Sequence, residues 1–564
     1  MTKLLWISDL TDTGYSSASK VLLNPLLKLR KPEDIYVFAI NHTLTTESIK
    51  QVIKRDIPSI NINNIFTIQA NPLLIDSHND DNMKQYFSHM VGALDLRKIL
   101  NTVKPDIVFT INDNEPVHRH LQIVKFYNER NNANIKTIGY VPIDCRKFPK
   151  GFFRNINDAD IILTMTEFGK REIVKTGIDE NKVMVLNHAI NINKFIPLSA
   201  SEIKRQKIKL LGERFKNYFV ILNANANQER KRIDLTLRIF FEYRRKYNNR
   251  AFLILKMSKN MSSSNGGIQL MDELNKYTPN DQWKNFVKII DEKIPIDELN
   301  ALFNIADVNI NTSRGEGWGI IPCEGALTKR IQLVPNATSY PEIFKEVPEV
   351  LVDTEEIFRK PLGVGSNGYI PICTIFYDPV IKNKPELVLS LDNDSIPVVI
   401  IAPSGTKVGK TLNINGVETS VMAVTDNILS LRKQLFDLME KETVLYKCII
   451  ICYTGKNLSF VYNQLKQLNE KSILDGMKNE EEYNVKQLKL DGFERSMVLS
   501  DIPKVDNFVE KLHYIQKLSK DEYRELGEKL RNTIVTKYSP MTITSQLNTI
   551  INNLNGNGDV EIEL

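Results

Sequence analysis

The chain has 564 residues, 42% of them hydrophobic and 25% charged, with 25 Gly and 23 Pro. That composition excludes a collagen-like, coiled-coil or wholly disordered chain, and the length is several domains' worth at roughly 100 to 200 residues each. The net charge of +6 comes from 74 Lys and Arg against 68 Asp and Glu. This is too thin to predict nucleic-acid or anionic-membrane binding by bulk electrostatics, so any basic site must be local.

In chain order, short β-branched runs alternate with amphipathic stretches. KLLWIS precedes the helical SSASKVLLNPLLKL, DIYVFAI precedes TTESIKQVIKR, DIVFTI precedes HRHLQIVKFYNER, and TIGYVPI precedes ADIILTM. The alternation predicts βαβ units on a parallel sheet over residues 1–196. A charged helix, SEIKRQKIKLLGERF, then opens a second series: YFVILNAN, RIDLTLRIFFEYRRKY, RAFLILKM, FVKIID, IDELNALFNIA, VNINTS and IQLVP. A second α/β domain is expected over 197–351. The rhythm breaks at GVGSNGYIPICTIFYDP and resumes in PVVIIAPSG, TLNING and YKCIIICYTG, with DNILSLRKQLFDLMEKE and SFVYNQLKQL as helical partners. Residues 352–500 are therefore read as an inserted α/β module of unknown role. Residues 501–564 are read as terminal helices with a short frayed tail.

The N-terminus runs from MTK straight into a strand, without the pattern of a secretory signal, and its apolar runs fall well short of the roughly 18 residues that span a bilayer. Cys145, Cys323, Cys373, Cys448 and Cys452 are odd in number and form no C-x-x-C pair, which suits free thiols in a cytoplasmic setting.

The most informative stretch is TSRGEGWGIIPCEGALTKR at 312–330. A strand ends in a Gly-flanked turn carrying Glu316, and a helix is predicted to open with Pro322 near its first position and Glu324 in its first turn. Two carboxylates eight residues apart then straddle a strand-to-helix turn. Carboxylates accept paired hydrogen bonds from vicinal hydroxyls, while free N–H groups at the turn and helix start can face a pyrophosphate. The same residues also suit a surface turn with a glutamate that complements the helix dipole.

E-G-W-G-I-I-P-C-E resembles the E-x7-E signature of family 4 retaining glycosyltransferases with the GT-B fold, with Trp318 where Phe is commoner. Other landmarks of that family stand in the same order: DADIILTMTEFGKREIVKTGI, VMVLNHAININKF with His188 and Phe195, QERKRIDLTLRIF, IPIDELNALFNIADVNINTS and VPNATSYPEIF. The resemblance covers residues 1 to about 350 and the final helix.

It implies two Rossmann-like domains facing a cleft, the first for the acceptor and the second for a nucleotide-sugar donor, with the insert in the C-terminal half and the final helix crossing back. It implies retaining transfer of a hexose from a UDP- or GDP-sugar without an essential metal or cofactor. Arg230 and Lys231 would stabilise the departing diphosphate. Glu316, Glu324, Gly317, Trp318, Gly319, Ile320, Ile321 and His188 would line the donor. Gly14, Ser16 and Ser17, in DLTDTGYSSASK, resemble the loop that approaches diphosphate and acceptor. Asp144, in GYVPIDC, is the acceptor-side candidate where family members often carry His. The acceptor stays open among glycan, lipid and protein, a lipid implying peripheral membrane contact, and the oligomeric state stays open as well.

Competing readings are a catalytically inactive nucleotide-sugar-binding or interaction module and a nucleic-acid glycosyltransferase, the latter through a local stripe of EIKRQKIKLLGERFK and RRKY. Four decoys are set aside. APSGTKVGKT at 402–411 has Ser404 where a P-loop needs Gly, and its continuation is strand-like. Asp392, Asn393 and Asp394 sit in the insert, far from the signature turn. His118 and His120, two apart on a helix, face different sides and do not form a ligand pair. Cys448 and Cys452 share one face of an apolar strand and read as core.

Overall fold

The apolar runs of the N-terminal half form strands buried on both faces, as parallel sheets covered by helices require. The computed structural model describes residues 2–11, 13–42, 44–69, 92–148, 152–153, 156–260, 267–278, 280–359, 372–377, 398–401, 411–414, 417–425, 448–453, 483–484 and 498–556. The first sheet comprises β1 (Leu4–Asp9), β2 (Ile35–His42), β3 (Ile65–Gln69), β4 (Ile107–Ile111), β5 (Lys136–Val141), β6 (Ile161–Thr164) and β7 (Val183–Val185), in the order β3-β2-β1-β4-β5-β6-β7. All its pairs are parallel; Leu4 stands opposite Ile35 on one side and Ile107 on the other. The order reverses between β1 and β4, the switch point beyond whose carboxyl ends α/β sheets bind ligands. Trp6 stacks on Phe109 at 3.9 Å in the core beneath, and its Nε1 donates to Ser19 Oγ at 3.0 Å, so the buried indole N–H is satisfied.

The helices of this half are α1 (Gly14–Leu29), α2 (Thr46–Asp56), α3 (Ala93–Val103), α4 (Asn114–Asn131) and α5 (Glu167–Lys175). Thr13 caps α1, its hydroxyl accepting from Ser16 N at 3.1 Å.

The second sheet comprises β8 (Phe219–Asn223), β9 (Ala251–Lys256), β10 (Val287–Ile290), β11 (Val308–Ile310), β12 (Ile331–Pro335) and β13 (Leu351–Val352), in the order β10-β9-β8-β11-β12-β13. Around it lie α6 (Ala200–Leu211), α7 (Ile233–Lys246), α8 (Leu270–Tyr277), α9 (Ile296–Ile305), α10 (Ile320–Leu327) and α11 (Tyr340–Ile343). The switch point again falls beside the first strand, between β8 and β11. The segment joining the two sheets is tied to α9: Ile196 N and Leu198 N donate to Asn300 Oδ1 and Asn304 Oδ1, and Phe195 packs edge-on against Phe303. Two parallel sheets of this kind, meeting at a cleft, are the GT-B architecture.

The insert leaves through β14 (Thr354–Arg359) and returns through a strand that pairs with it antiparallel, Val498–Pro503. Between them a five-stranded sheet is described: β15 (Ile372–Tyr377), β16 (Val398–Ile401), β17 (Thr411–Ile414), β18 (Val417–Thr425) and β19 (Cys448–Tyr453), in the order β15-β19-β16-β18-β17. They are parallel except for β17 against β18. That antiparallel pair, on either side of Asn415-Gly416, puts a strand where a P-loop needs its phosphate-binding helix. Residues 402–410, Asp392 to Asp394 and the two expected insert helices lie outside the described residues. A two-residue strand, β20 (Tyr483–Asn484), also pairs with β14, and the returning strand is β21.

Three helices close the chain: α12 (Val505–Lys517), α13 (Lys520–Lys537) and α14 (Pro540–Leu554). A capping box starts α13, Ser519 and Glu522 exchanging side-chain-to-backbone bonds. The last helix crosses back to the first domain: Thr544 Oγ1 donates to Leu22 O, Arg30 Nε to Asn548 Oδ1 at 2.6 Å, and Asn555 Nδ2 to Thr2 Oγ1. No described helix is long and apolar enough to cross a membrane. Leu547 is fully buried in α14. Its replacement by alanine should cost about 2–5 kcal/mol, read as a lower denaturant midpoint for the first domain.

Candidate functional site

The site is built where loops at the carboxyl ends of β5, β8 and β11 meet. The helix after β11 starts at Ile320, two residues earlier than the sequence suggested, because Gly319 takes a left-handed conformation (φ 94°) and ends the loop there. Pro322 is then the third helical residue, still within the first turn whose N–H groups lack helical partners, and Glu324 lies in the second turn.

Glu316 is buried between two cations of the segment after β8. Arg230 Nη1 donates to its Oε2 at 2.6 Å and to Gly315 O at 2.7 Å, while Lys231 Nζ donates to Oε1. Its own backbone N–H donates to Thr338 Oγ1. Burial pushes the Glu316 carboxyl up, but the adjacent Arg230 and Lys231 charges outweigh this and hold it at about 2. Burial also works against the Arg230 charge, which Glu316 and Asp144 more than restore. Lys231 is lowered, by burial first and by its Arg230 neighbour. Asp144, from the loop after β5, faces Arg230 Nε at 3.5 Å, so the acceptor-side candidate meets the basic pair across the cleft.

The two domains touch through backbone at this point. A Cβ at Gly315 would overlap the Asp144 carbonyl oxygen, and one at Gly317 would stand 2.5 Å from Pro142 Cβ. The signature glycines are thus required by close approach of the facing loop. Trp318 is buried beside this contact, edge-on to Tyr538 at 4.7 Å, and Ser339 Oγ donates to its carbonyl.

Glu324 stands apart from Glu316, on the wall of a cavity of about 810 Å³ lined also by Ser17, Lys20, His188, Lys194 and Ile320. Lys194 Nζ donates to Glu324 Oε1 at 2.9 Å. Burial raises the Glu324 carboxyl more than Lys194 lowers it. His188 Nδ1 lies 2.7 Å from Ala189 O, which assigns the ring proton to Nδ1 and leaves Nε2 an acceptor; burial pushes this ring down to about 4, so it is neutral at pH 7. A Cβ at Gly14 would stand 4.0 Å from Ile320 Cδ1, an ordinary contact distance, Ser16 is buried in the first turn of α1, and Ile321 packs against the core.

The sequence-predicted residues therefore fall into two groups. Arg230, Lys231, Glu316, Gly317 and Asp144 form one; Ser17, His188, Ile320 and Glu324 form the other. Several neighbours were not singled out beforehand: Lys194, and on the first domain's side Asp9, Tyr15 and Asp113. Asp9 ends β1 at the switch point and accepts from Asn41 Nδ2 at 3.0 Å and Asn112 Nδ2 at 3.2 Å. Burial lifts it to about 6, with Asp113 adding to the rise and the two amides opposing it. Tyr15 Oη donates to Asp113 Oδ1. Lys194 lies on a loop and Asp9, Tyr15 and Asp113 at element ends, where no periodic signal marks them, although an Asp at the end of a first strand was itself visible.

His120 lies well inside α4, buried, with Nδ1 2.8 Å from Thr110 Oγ1. Among the described residues no group of three or more His, Cys, Asp or Glu side chains is placed to hold a metal ion.

No family model matches the chain, and no curated protein matches it. Solved structures do. A glycosyltransferase from Rickettsia africae aligns over 99% of both chains with a TM-score of 0.53 and 11% identity. The N-terminal domain of Candida albicans trehalose-6-phosphate phosphatase aligns over 98% of this chain and 97% of its own, with a TM-score of 0.53 and 10% identity.

The charge pair sets a pH signature. Because the folded carboxyl titrates at about 2 and an ordinary one near 4.5, the Glu316 contribution is full above pH 4.5 and fades as pH falls toward 2. Glu316→Gln should therefore lose about 3 kcal/mol of stability at pH 7, and melting curves of the two proteins should converge on acidification. Across nearly its full length the chain is similar to a solved glycosyltransferase, and its fold is GT-B.

Proposed function

We propose that the protein is a retaining glycosyltransferase that moves a hexose from a UDP- or GDP-sugar to a glycan, lipid or protein acceptor, without an essential metal. The observation that carries this reading is the pairing of Arg230 and Lys231 with Glu316 at the cleft between two Rossmann-like sheets, with Glu324 on the adjoining cavity wall.

In this reading the donor exchanges partners with the protein. Its diphosphate takes the Arg230 and Lys231 cations and stabilises there as it leaves, and Glu316, released from them, accepts hydrogen bonds from sugar hydroxyls. Glu324 holds the ribose diol. Asp144 orients the acceptor hydroxyl on the face of the sugar from which the diphosphate departs. The assignment of retention rests on the E-x7-E resemblance, and that course needs no protein nucleophile. Four of the cations proposed as a nucleic-acid stripe are engaged within the chain: Lys207 with Tyr218 O and Asp307, Arg205 with Glu202, Arg244 over the Phe286 ring, Lys246 with Glu510. That favours a sugar, lipid or protein acceptor over nucleic acid.

The test is a thermal-shift and hydrolysis panel of UDP-, GDP-, ADP- and TDP-sugars, with and without EDTA. One base should raise the melting temperature selectively, by the equivalent of about 2.7 kcal/mol at a hundredfold excess over Kd, with nucleoside diphosphate released equally in EDTA. Arg230→Ala should slow turnover about 10² to 10³-fold, the scale of removing one preorganised donor to a developing anion. Absence of a shift with every donor would defeat the enzyme reading and favour an interaction module.

A further inference from the structure

The loop carrying Asp144 is held from a second side, by the root of the insert. Two residues beyond Asp144, Arg146 reaches both stalk strands: Nη1 lies 2.6 Å from Glu356 Oε1 on β14, and Nη2 and Nε lie 2.5 and 3.3 Å from the two Asp501 carboxylate oxygens on β21. Glu356 and Asp501 stand directly opposite each other in the antiparallel ladder. Two carboxylates in that position repel, and Asp501 is almost completely buried. Arg146 is the fork that resolves the repulsion, bidentate to one carboxylate and bonded to the other. It is supplied by the first domain, whereas the stalk belongs to the second.

The stalk also touches the donor turn. Asp501 N donates to Arg314 O, one residue before Gly315, and Arg314 N donates to Arg230 O. The Arg314 side chain pairs with Glu229, beside the basic pair. The loop of residues 142–146 is therefore wedged between the Glu316 turn and the stalk.

We infer that Arg146 is a positioning residue: by clamping the opposed carboxylates of the stalk it holds Asp144 against the Arg230 and Glu316 turn, so the root of the insert sets the closed form of the cleft. Its kinetic consequence rests on the glycosyltransferase reading; its geometry does not. Donor binding groups are left intact when Arg146 changes, so the clamp acts on closure rather than on nucleotide affinity.

The experiment compares the full-length protein with Arg146→Met, Arg146→Lys and the double variant Arg146→Met/Glu356→Gln, using amide hydrogen exchange and steady-state kinetics. In Arg146→Met, exchange should rise about tenfold to a hundredfold in segments 139–148 and 314–320, the scale of losing charge-assisted hydrogen bonds. kcat/KM should fall by a similar factor, while the Kd of the nucleoside diphosphate stays within about twofold of wild type. Arg146→Lys, which keeps the charge and loses the fork, should fall between, and it carries the test if the Met variant does not fold. Removing Glu356 as well should recover part of the loss, because the opposed pair is then gone. Unchanged exchange in the two segments would overturn the inference, as would a rise spread evenly over the chain. If the wild-type protein turns over no sugar nucleotide, the glycosyltransferase reading fails while the exchange data still decide the clamp.

Discussion

One buried carboxylate shared by two cations organises the cleft. Arg230 and Lys231 lie in the segment after β8, and Glu316 lies in the turn after β11, so the pairing joins the loops that leave the two strands flanking the switch point of the second sheet. A lysine in this setting would lose its proton readily without a counter-charge, and Glu316 supplies one. The arrangement is not an obvious source of stability, since buried ion pairs forfeit hydration on both sides. Its value lies in keeping two cations charged and aimed at one place.

The facing domain is drawn in by the same charges and by shape. Asp144 contributes a third interaction to Arg230, and the absence of side chains at Gly315 and Gly317 lets the 142–144 backbone lie directly on the turn. The joint is then completed at three further points: Ile190 N donates to Tyr538 O, Lys194 to Glu324, and α14 lies on α1. Contacts so distributed fix the cleft from opposite ends, with the cavity between them.

The sheets were legible in the sequence because doubly covered parallel strands write themselves as continuous apolar runs, and the helices because their apolar residues recur on one face. LLWISD and IVFTI are the clearest cases, and every residue of both is buried. The E-x7-E stretch was legible because glycines, a proline and two carboxylates coincide at a strand-to-helix turn. Its detail was not: only the left-handed Gly319 decides where α10 begins, and a conformation leaves no letter of its own. Lys194, Arg146 and the Asp9, Asn41 and Asn112 group depend on chain segments far apart in sequence meeting in space. An isolated lysine in NINKF or an arginine in DCRKF carries no pattern that distinguishes it from a solvated surface residue.

The stalk has a consequence for how this chain is built. Arg359 and Val498 are paired neighbours at the far end of the ladder, so everything from 360 to 497 enters and leaves through one hairpin tip. Closing a loop of that length costs little more entropy than closing a much shorter one. The same ladder, ended by a two-residue turn, would leave Glu356, Asp501 and their arginine in register, so the hairpin tip is the place at which the segment could be replaced by a short turn without disturbing the clamp.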